Sequence, residues 1–262
     1  MARILSRIAA GVVVGLLATS SARASRPHPV RFLGADPVGP LASVERAVIR
    51  TPEARSCRAW GPVGSRWEEL DPLGQIAGEV VVTGRDFYAY SGCDELGVRR
   101  VNGHRGAGVY VEAQAGYRAP DSRRWRPDDA SIATLVTLAS ARQRGITHLD
   151  PSHGVPFSRR TFFFEWGPAP ERFAVVGGVS LLVCAWQGGR WTVVHEVTPP
   201  KGRAVERGYR ALAVTDMNGD GLPEIVFHRL EESGEWYGDA TLSRRPDGAW
   251  VEIDAGIFGS TA

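Results

Sequence analysis

The chain has 262 residues, with 31 Lys and Arg against 29 Asp and Glu and a formal charge of +2. Arg3, Arg7 and Arg23 fall in the first 24 residues, which hold no acid, so residues 25–262 carry a formal charge of −1. That near-neutral balance excludes the electrostatic footprint of nucleic-acid binding, while the length suffices for one large domain or two small ones with a proper core.

The N-terminus reads as an export signal. Arg3 and Arg7 precede an apolar run from Ile8 to Ala18, and a polar stretch of small residues follows, ending in Ala22-Arg23-Ala24. An A-x-A site places the cut after Ala24. An apolar run of about 11 residues is too short to cross about 30 Å of hydrocarbon. The expected location is therefore outside the cytosol (periplasmic, secreted or cell-surface), with no membrane span once the signal is removed. Lys201 is the single lysine, a bias better explained by codon composition than by function.

Residues 25–65 are expected to be an extended lead-in. Pro, Arg and Gly dominate 25–40, and Pro40 to Arg50 predicts a short helix, with Leu41, Val44 and Val48 at helical spacing. A β-rich globular region is expected over 66–262. Glu79 to Thr83, Asp86 to Ser91, Val98 to Val101 and Val109 to Glu112 read as strands, punctuated by Gly and Asn. One helix is clear near 128–144. Pro127-Asp128-Asp129 opens it, Ile132, Leu135, Val136 and Ala139 form its stripe, widened by Leu138, and Gly145 is its stop.

Strand signals return at Thr161 to Trp166, Phe173 to Val176, Ser180 to Trp186 and Arg190 to Val197, with glycine turns at 177–178 and 188–189. Ala211 to Thr215, Glu224 to Arg229, Ala240 to Arg244 and Trp250 to Asp254 complete the set. Residues 80–101 and 174–197 share a loose strand and turn plan, and 224–253 has a similar one. The expected fold is mainly β, with antiparallel sheets in a propeller-like or sandwich arrangement. Of the cysteines, Cys57 and Cys93 are the favoured pair, and Cys184 is expected as a buried free thiol.

One loop carries chemistry. In Asp216-Met217-Asn218-Gly219-Asp220-Gly221-Leu222-Pro223-Glu224, oxygen-bearing side chains alternate at 216, 218 and 220. Gly221 permits a sharp turn that brings the Leu222 carbonyl and the Glu224 carboxylate toward the same point. Hard oxygen donors in such a ring suit calcium better than magnesium. An EF-hand loop would close at its twelfth position, which is Phe227 here, whereas the closing acid Glu224 stands at the ninth. The form D-x-[DN]-x-D-G-x-x-[DE] between strands resembles the loops of FG-GAP/VCBS-type repeats, over roughly 211–229. The resemblance implies a structural calcium ion held by Asp216, Asn218, Asp220, Leu222 and Glu224. The family commonly has several copies and a closing Asp; this chain has one copy and a closing Glu.

Weaker candidates stand beside it. His148-x-Asp150-x-x-His153 has metal-ligand spacing in a polar loop. Ser180 follows Gly178 without the closing glycine of a nucleophile elbow. Glu68-Glu69, Asp94-Glu95 and Glu231-Glu232 are paired acids of the kind glycosidases use. Trp236-Tyr237 is the aromatic pair best placed to meet a sugar. The sequence therefore predicts a calcium-stabilised binding or surface-associated module, with a glycan or a surface protein as candidate partner. The rival is an exported hydrolase acting on polysaccharide or another polymer, whose catalytic residues the sequence leaves unknown.

Overall fold

The structure, a computed structural model, describes residues 29–35, 38–52, 60–87, 94–143, 157–198, 208–230 and 238–254. Residues 1–24, expected to be an export signal, together with Cys57, Cys93, Gly145, the His148–His153 loop, Glu231-Glu232 and Trp236-Tyr237, lie outside these residues.

Strands β1 (Val30–Ala35), β2 (Val38–Glu45), β3 (Val48–Arg50), β4 (Arg66–Leu70), β5 (Ile76–Phe87), β6 (Asp94–Gly103) and β7 (Val109–Glu112) form a first sheet. Its order is β3-β2-β1-β7-β4-β5-β6. A second sheet joins β8 (Ser122–Arg124), β9 (Thr161–Trp166), β10 (Glu171–Val176), β11 (Leu181–Gln187) and β12 (Arg190–Val197) in sequence order. The third is a four-stranded meander of β13 (Gly208–Thr215), β14 (Glu224–Leu230), β15 (Gly238–Arg244) and β16 (Trp250–Asp254). All pairings are antiparallel.

The meander is the middle layer, as the two-residue period of β14 shows. Ile225 and Phe227 point into a cluster with Phe164, Phe173 and Val183 of the second sheet. Val226 points the other way, into a cluster with Phe32, Leu41 and Leu70 of the first. A strand covered on both faces reads as a continuous apolar run, which β14 does from Ile225 to Phe227. This stack of twisted antiparallel sheets carries the fold expected from the sequence.

On the outer face of the second sheet lies α1 (Asp129–Gln143), with Leu135 and Ala139 packed against Val176, Leu182 and Trp191. Its buried residues, Ser131, Leu135, Ala139 and Gln143, follow one i+4 row. Asp128 caps the helix, its Oδ1 accepting the Ser131 amide at 2.7 Å. Replacing Asp128 by Ala is expected to lower the urea midpoint at an unchanged m-value, and Asp128→Asn, which keeps an acceptor, to restore most of it. A short helix α2 (Phe157–Arg160) leads into β9.

Two sequence expectations need correction. Pro40 to Arg50 is not helical: it is the hairpin β2–β3, turned at Arg46 and Ala47 with φ of 52° and 61°. Positive φ at both central positions gives the turn whose twist matches a hairpin. Leu41 and Val44 happen to satisfy helical spacing, but β2 is covered on both faces, and Pro40 sits beside a register shift in the β1 pairing, where a missing amide is tolerated. Residues 30–50 are consequently not an extended lead-in; Phe32 and Leu33 are fully buried and share a sheet with β4 to β7. The second correction concerns β5, which continues through Gly84 with a register shift instead of breaking there. β5 and β6 thus form one antiparallel pair, and the likeness of this stretch to the three strands in 174–197 does not hold.

Cys184 is free and fully buried. Burial pushes its thiol up to about 12, so it packs as a small apolar group. Among the described residues no helix is long and apolar enough to cross a membrane.

Candidate metal centre

The loop from Asp216 to Pro223 joins the first two strands of the middle sheet, β13 and β14, whose register closes at Thr215 opposite Glu224. Gly219 and Gly221, with φ of 74° and 81°, let the backbone curl back on itself, and no atom would crowd a side chain at either. The left-handed backbone alone therefore selects glycine there.

The curl turns amides inward onto the acids. The Asp216 Oδ2 accepts the Gly221 amide at 3.0 Å. For Asp220, Oδ1 accepts the Leu222 amide at 2.8 Å and Oδ2 the Asn218 side-chain amide at 2.9 Å. Asn218 Oδ1 accepts the Asp220 amide at 3.1 Å. Glu224 is fully buried; its Oε2 accepts the Met217 amide at 2.7 Å and its Oε1 the Ser243 hydroxyl at 3.1 Å.

Side chains from both flanking sheets reach the loop. Trp166 of β9 donates its indole N–H to the Gly221 carbonyl at 2.8 Å. Tyr117, which follows β7, hydrogen-bonds the Thr215 hydroxyl at 2.6 Å and donates to the Gly74 carbonyl at 2.8 Å. Met217, buried within the loop, joins the apolar cluster between the first and middle sheets. The loop is thus a junction of all three layers. Nothing in the sequence near 216 announced Trp166, Tyr117 or Ser243 as its supports.

The electrostatics are lopsided. Asp216, Asp220 and Glu224 have no ion-pair partner among the described residues, and the charges acting on them are chiefly one another's. Burial, and then the Asp220 charge, push the Glu224 carboxyl up to about 8. Burial likewise raises Asp216. The Asp216 Oδ1 is buried without a hydrogen-bond partner. Leaving a carboxylate oxygen so placed is costly. The donor set, made of carboxylates, an amide and a carbonyl, is of the hard-oxygen type that calcium takes. On these two counts the residues fit the ion. Within the described residues, however, no three His, Cys, Asp or Glu side chains converge as a metal-ligating group, because the acids are spread over the loop amides.

The other candidates fare differently. Glu68 and Glu69 are successive strand residues and point to opposite faces; Glu69 is buried against Arg100. They do not converge as an acid pair. Ser180 is fully buried, unlike an exposed nucleophile. A cleft of about 370 Å³ runs past Asp216, Asn218, Glu45, Arg46 and Arg118, so one side of the loop is open to solutes.

No protein-family model matches this sequence, and no match was found among curated proteins or solved structures.

Proposed function

We propose that this chain is an exported, calcium-stabilised β-rich binding module, and that Asp216, Asn218, Asp220, Leu222 and Glu224 hold the ion. The observation that carries the reading is the carboxylate set at the three-layer junction, without an ion-pair partner among the described residues and with one buried Asp216 oxygen lacking a hydrogen-bond partner there. Position supports it as well: the loop joins two adjacent strands of an antiparallel meander, and the loops of the FG-GAP/VCBS-type repeats it resembles also lie between two strands. Calcium here is structural. It would supply the positive charge that the loop lacks, while the chain's own residues orient the acids through loop amides and tie the loop to Trp166 and Tyr117.

Export follows from the leader-like N-terminus, and the near-neutral charge of residues 25–262 argues against a nucleic-acid partner. A glycan or a surface protein is the partner class the reading favours.

The test is a thermal melt of residues 25–262 in excess chelator and then in calcium, with magnesium as control. Calcium at about 100 times its dissociation constant should add about 2.7 kcal/mol, a rise of several degrees for a chain of this size. Asp216→Ala should abolish the rise. An equal response to magnesium, or none to calcium, would remove calcium from the reading.

A further inference from the structure

A second polar cleft, of about 380 Å³, opens where β13 of the middle sheet meets β4, β6 and β7 of the first. Its walls carry Arg100, Arg105 and Arg210, with Glu69 and Tyr110. The three arginines come from distant points of the chain: Arg100 on β6, Arg105 on the glycine-containing link to β7, and Arg210 on β13. The link is held close to β4 through the Ala107 amide, which donates to the Leu70 carbonyl at 2.7 Å. A Cβ on Gly106 would lie 2.3 Å from that same carbonyl, so only glycine lets the segment approach. The fold thus places Arg105 on this cleft through a specific backbone contact.

Charge accounting singles the cleft out. Glu69, 2% exposed, is bound to the Arg100 guanidinium, and Arg100 also donates to the His104 carbonyl. That arginine is therefore both neutralised and fixed in place. Arg105 and Arg210 are exposed, and neither has an ion pair or hydrogen bond with any described side chain. Among the described residues the cleft keeps two guanidinium groups without an ion-pair partner beside a rigid third. Walls of one sign around a restricted opening concentrate counter-charge. The planar fork of arginine matches the oxygens of a phosphate or sulfate group. Tyr110, whose phenol burial pushes up to about 12, stays protonated as a hydroxyl group at physiological pH.

From this geometry we infer that the Arg100–Arg105–Arg210 cleft is a binding site for a small tetrahedral oxyanion, carried as a phosphate or sulfate ester. The excess of two positive charges suits a dianionic phosphate ester better than a singly charged sulfate ester. The inference rests on the binding-module reading, and names a ligand class for it, but it does not depend on the calcium loop.

The test is calorimetric titration of residues 25–262 with inorganic phosphate, inorganic sulfate, a sugar monophosphate and a sugar monosulfate. The buffer is calcium-free, its ionic strength is fixed with chloride, and acetate serves as control. Saturable binding of the tetrahedral anions and not of acetate is expected, with the monophosphate arm tighter than the monosulfate. Arg105→Gln and Arg210→Gln should each weaken it about 10-fold or more, the loss of one charge-assisted contact. Arg105→Lys, which keeps the charge and loses the fork, should fall between. Both glutamine variants alter exposed side chains, and an unchanged melting temperature verifies their folding. No saturable heat up to about 10 mM anion, equal binding of acetate, or unchanged affinity in the double variant would overturn the inference. A calcium response of the parent without saturable phosphate binding overturns this inference alone, whereas saturable phosphate binding without a calcium response overturns only the calcium reading.

Discussion

In excess chelator the protein is expected to lose stability as the pH rises from about 4.5 to about 8, and Glu224 is the cause. Burial, reinforced by the Asp220 and Asp216 charges, raises its carboxyl from an ordinary 4.5 to about 8 in the folded chain. Between those values the folded state binds a proton that the unfolded state has released. Stability therefore falls as pH rises through that window, and the contribution is fully present only below it. At about 1.4 kcal/mol per pH unit, the descent sums to a few kcal/mol. Asp216 is raised in the same sense, first by burial, and adds to the descent. His195 acts oppositely: burial lowers its imidazole, and its contribution grows as pH rises toward 6.5. Urea midpoints at several pH values for the parent and for Glu224→Gln isolate the Glu224 share, because the glutamine removes that share and leaves those of Asp216 and His195. Calcium should reverse the slope, since an ion that needs carboxylates competes with protons and binds better at higher pH. A flat or rising profile in chelator would show that Glu224 is not protonated in the folded loop.

That loop also marks how far sequence reasoning reaches. Its oxygen pattern is local, and so are the glycine turns and the i+4 row of α1, so each could be read from a short window. The strands from Thr161 to Val197 follow the same logic: their turns are two to four residues long and their partners are sequence neighbours. Residues 30–50 failed that logic even though β1, β2 and β3 pair with sequence neighbours, because what buries them is remote. β1 pairs with β7, almost eighty positions away, and the burial of β2 on both faces erases the alternation by which a strand is recognised. Tertiary pairing overrode a spacing that also fits a helix. The supports of the metal loop were invisible for the same reason: Trp166 lies 55 positions from Gly221 and Tyr117 lies 98 from Thr215. Arg105 and Arg210, likewise, are ordinary surface arginines until the sheets meet.

A large single-residue loss of stability is expected at His228. Its Nδ1 and the Asp239 Oδ1 are 2.6 Å apart, on paired residues of β14 and β15, and their side chains are 4% and 6% exposed. The pair faces the first sheet, where Gly34 of β1 lies so close that a Cβ there would sit 1.9 Å from the Asp239 Oδ2. The carboxylate is thus seated against the backbone of another layer. His228→Ala removes its imidazole partner, and breaking a buried pair in this way costs about 3–5 kcal/mol. Replacing both members costs less than that sum, because the alanine at 239 no longer leaves a carboxylate to be solvated by protein. A double-mutant cycle on urea midpoints reads the difference as a coupling energy. Gly34→Ala provides an independent check: it should destabilise the parent through the clash with Asp239 and be tolerated better beside Asp239→Ala. If His228→Ala cost under about 1 kcal/mol, the pair would be ornamental, and apolar burial alone would hold the first and middle sheets together. A loss of the expected size places a specific polar lock at that interface, opposite the apolar contacts of Phe32 and Val226, so that the sheets are fixed in one register as well as held together.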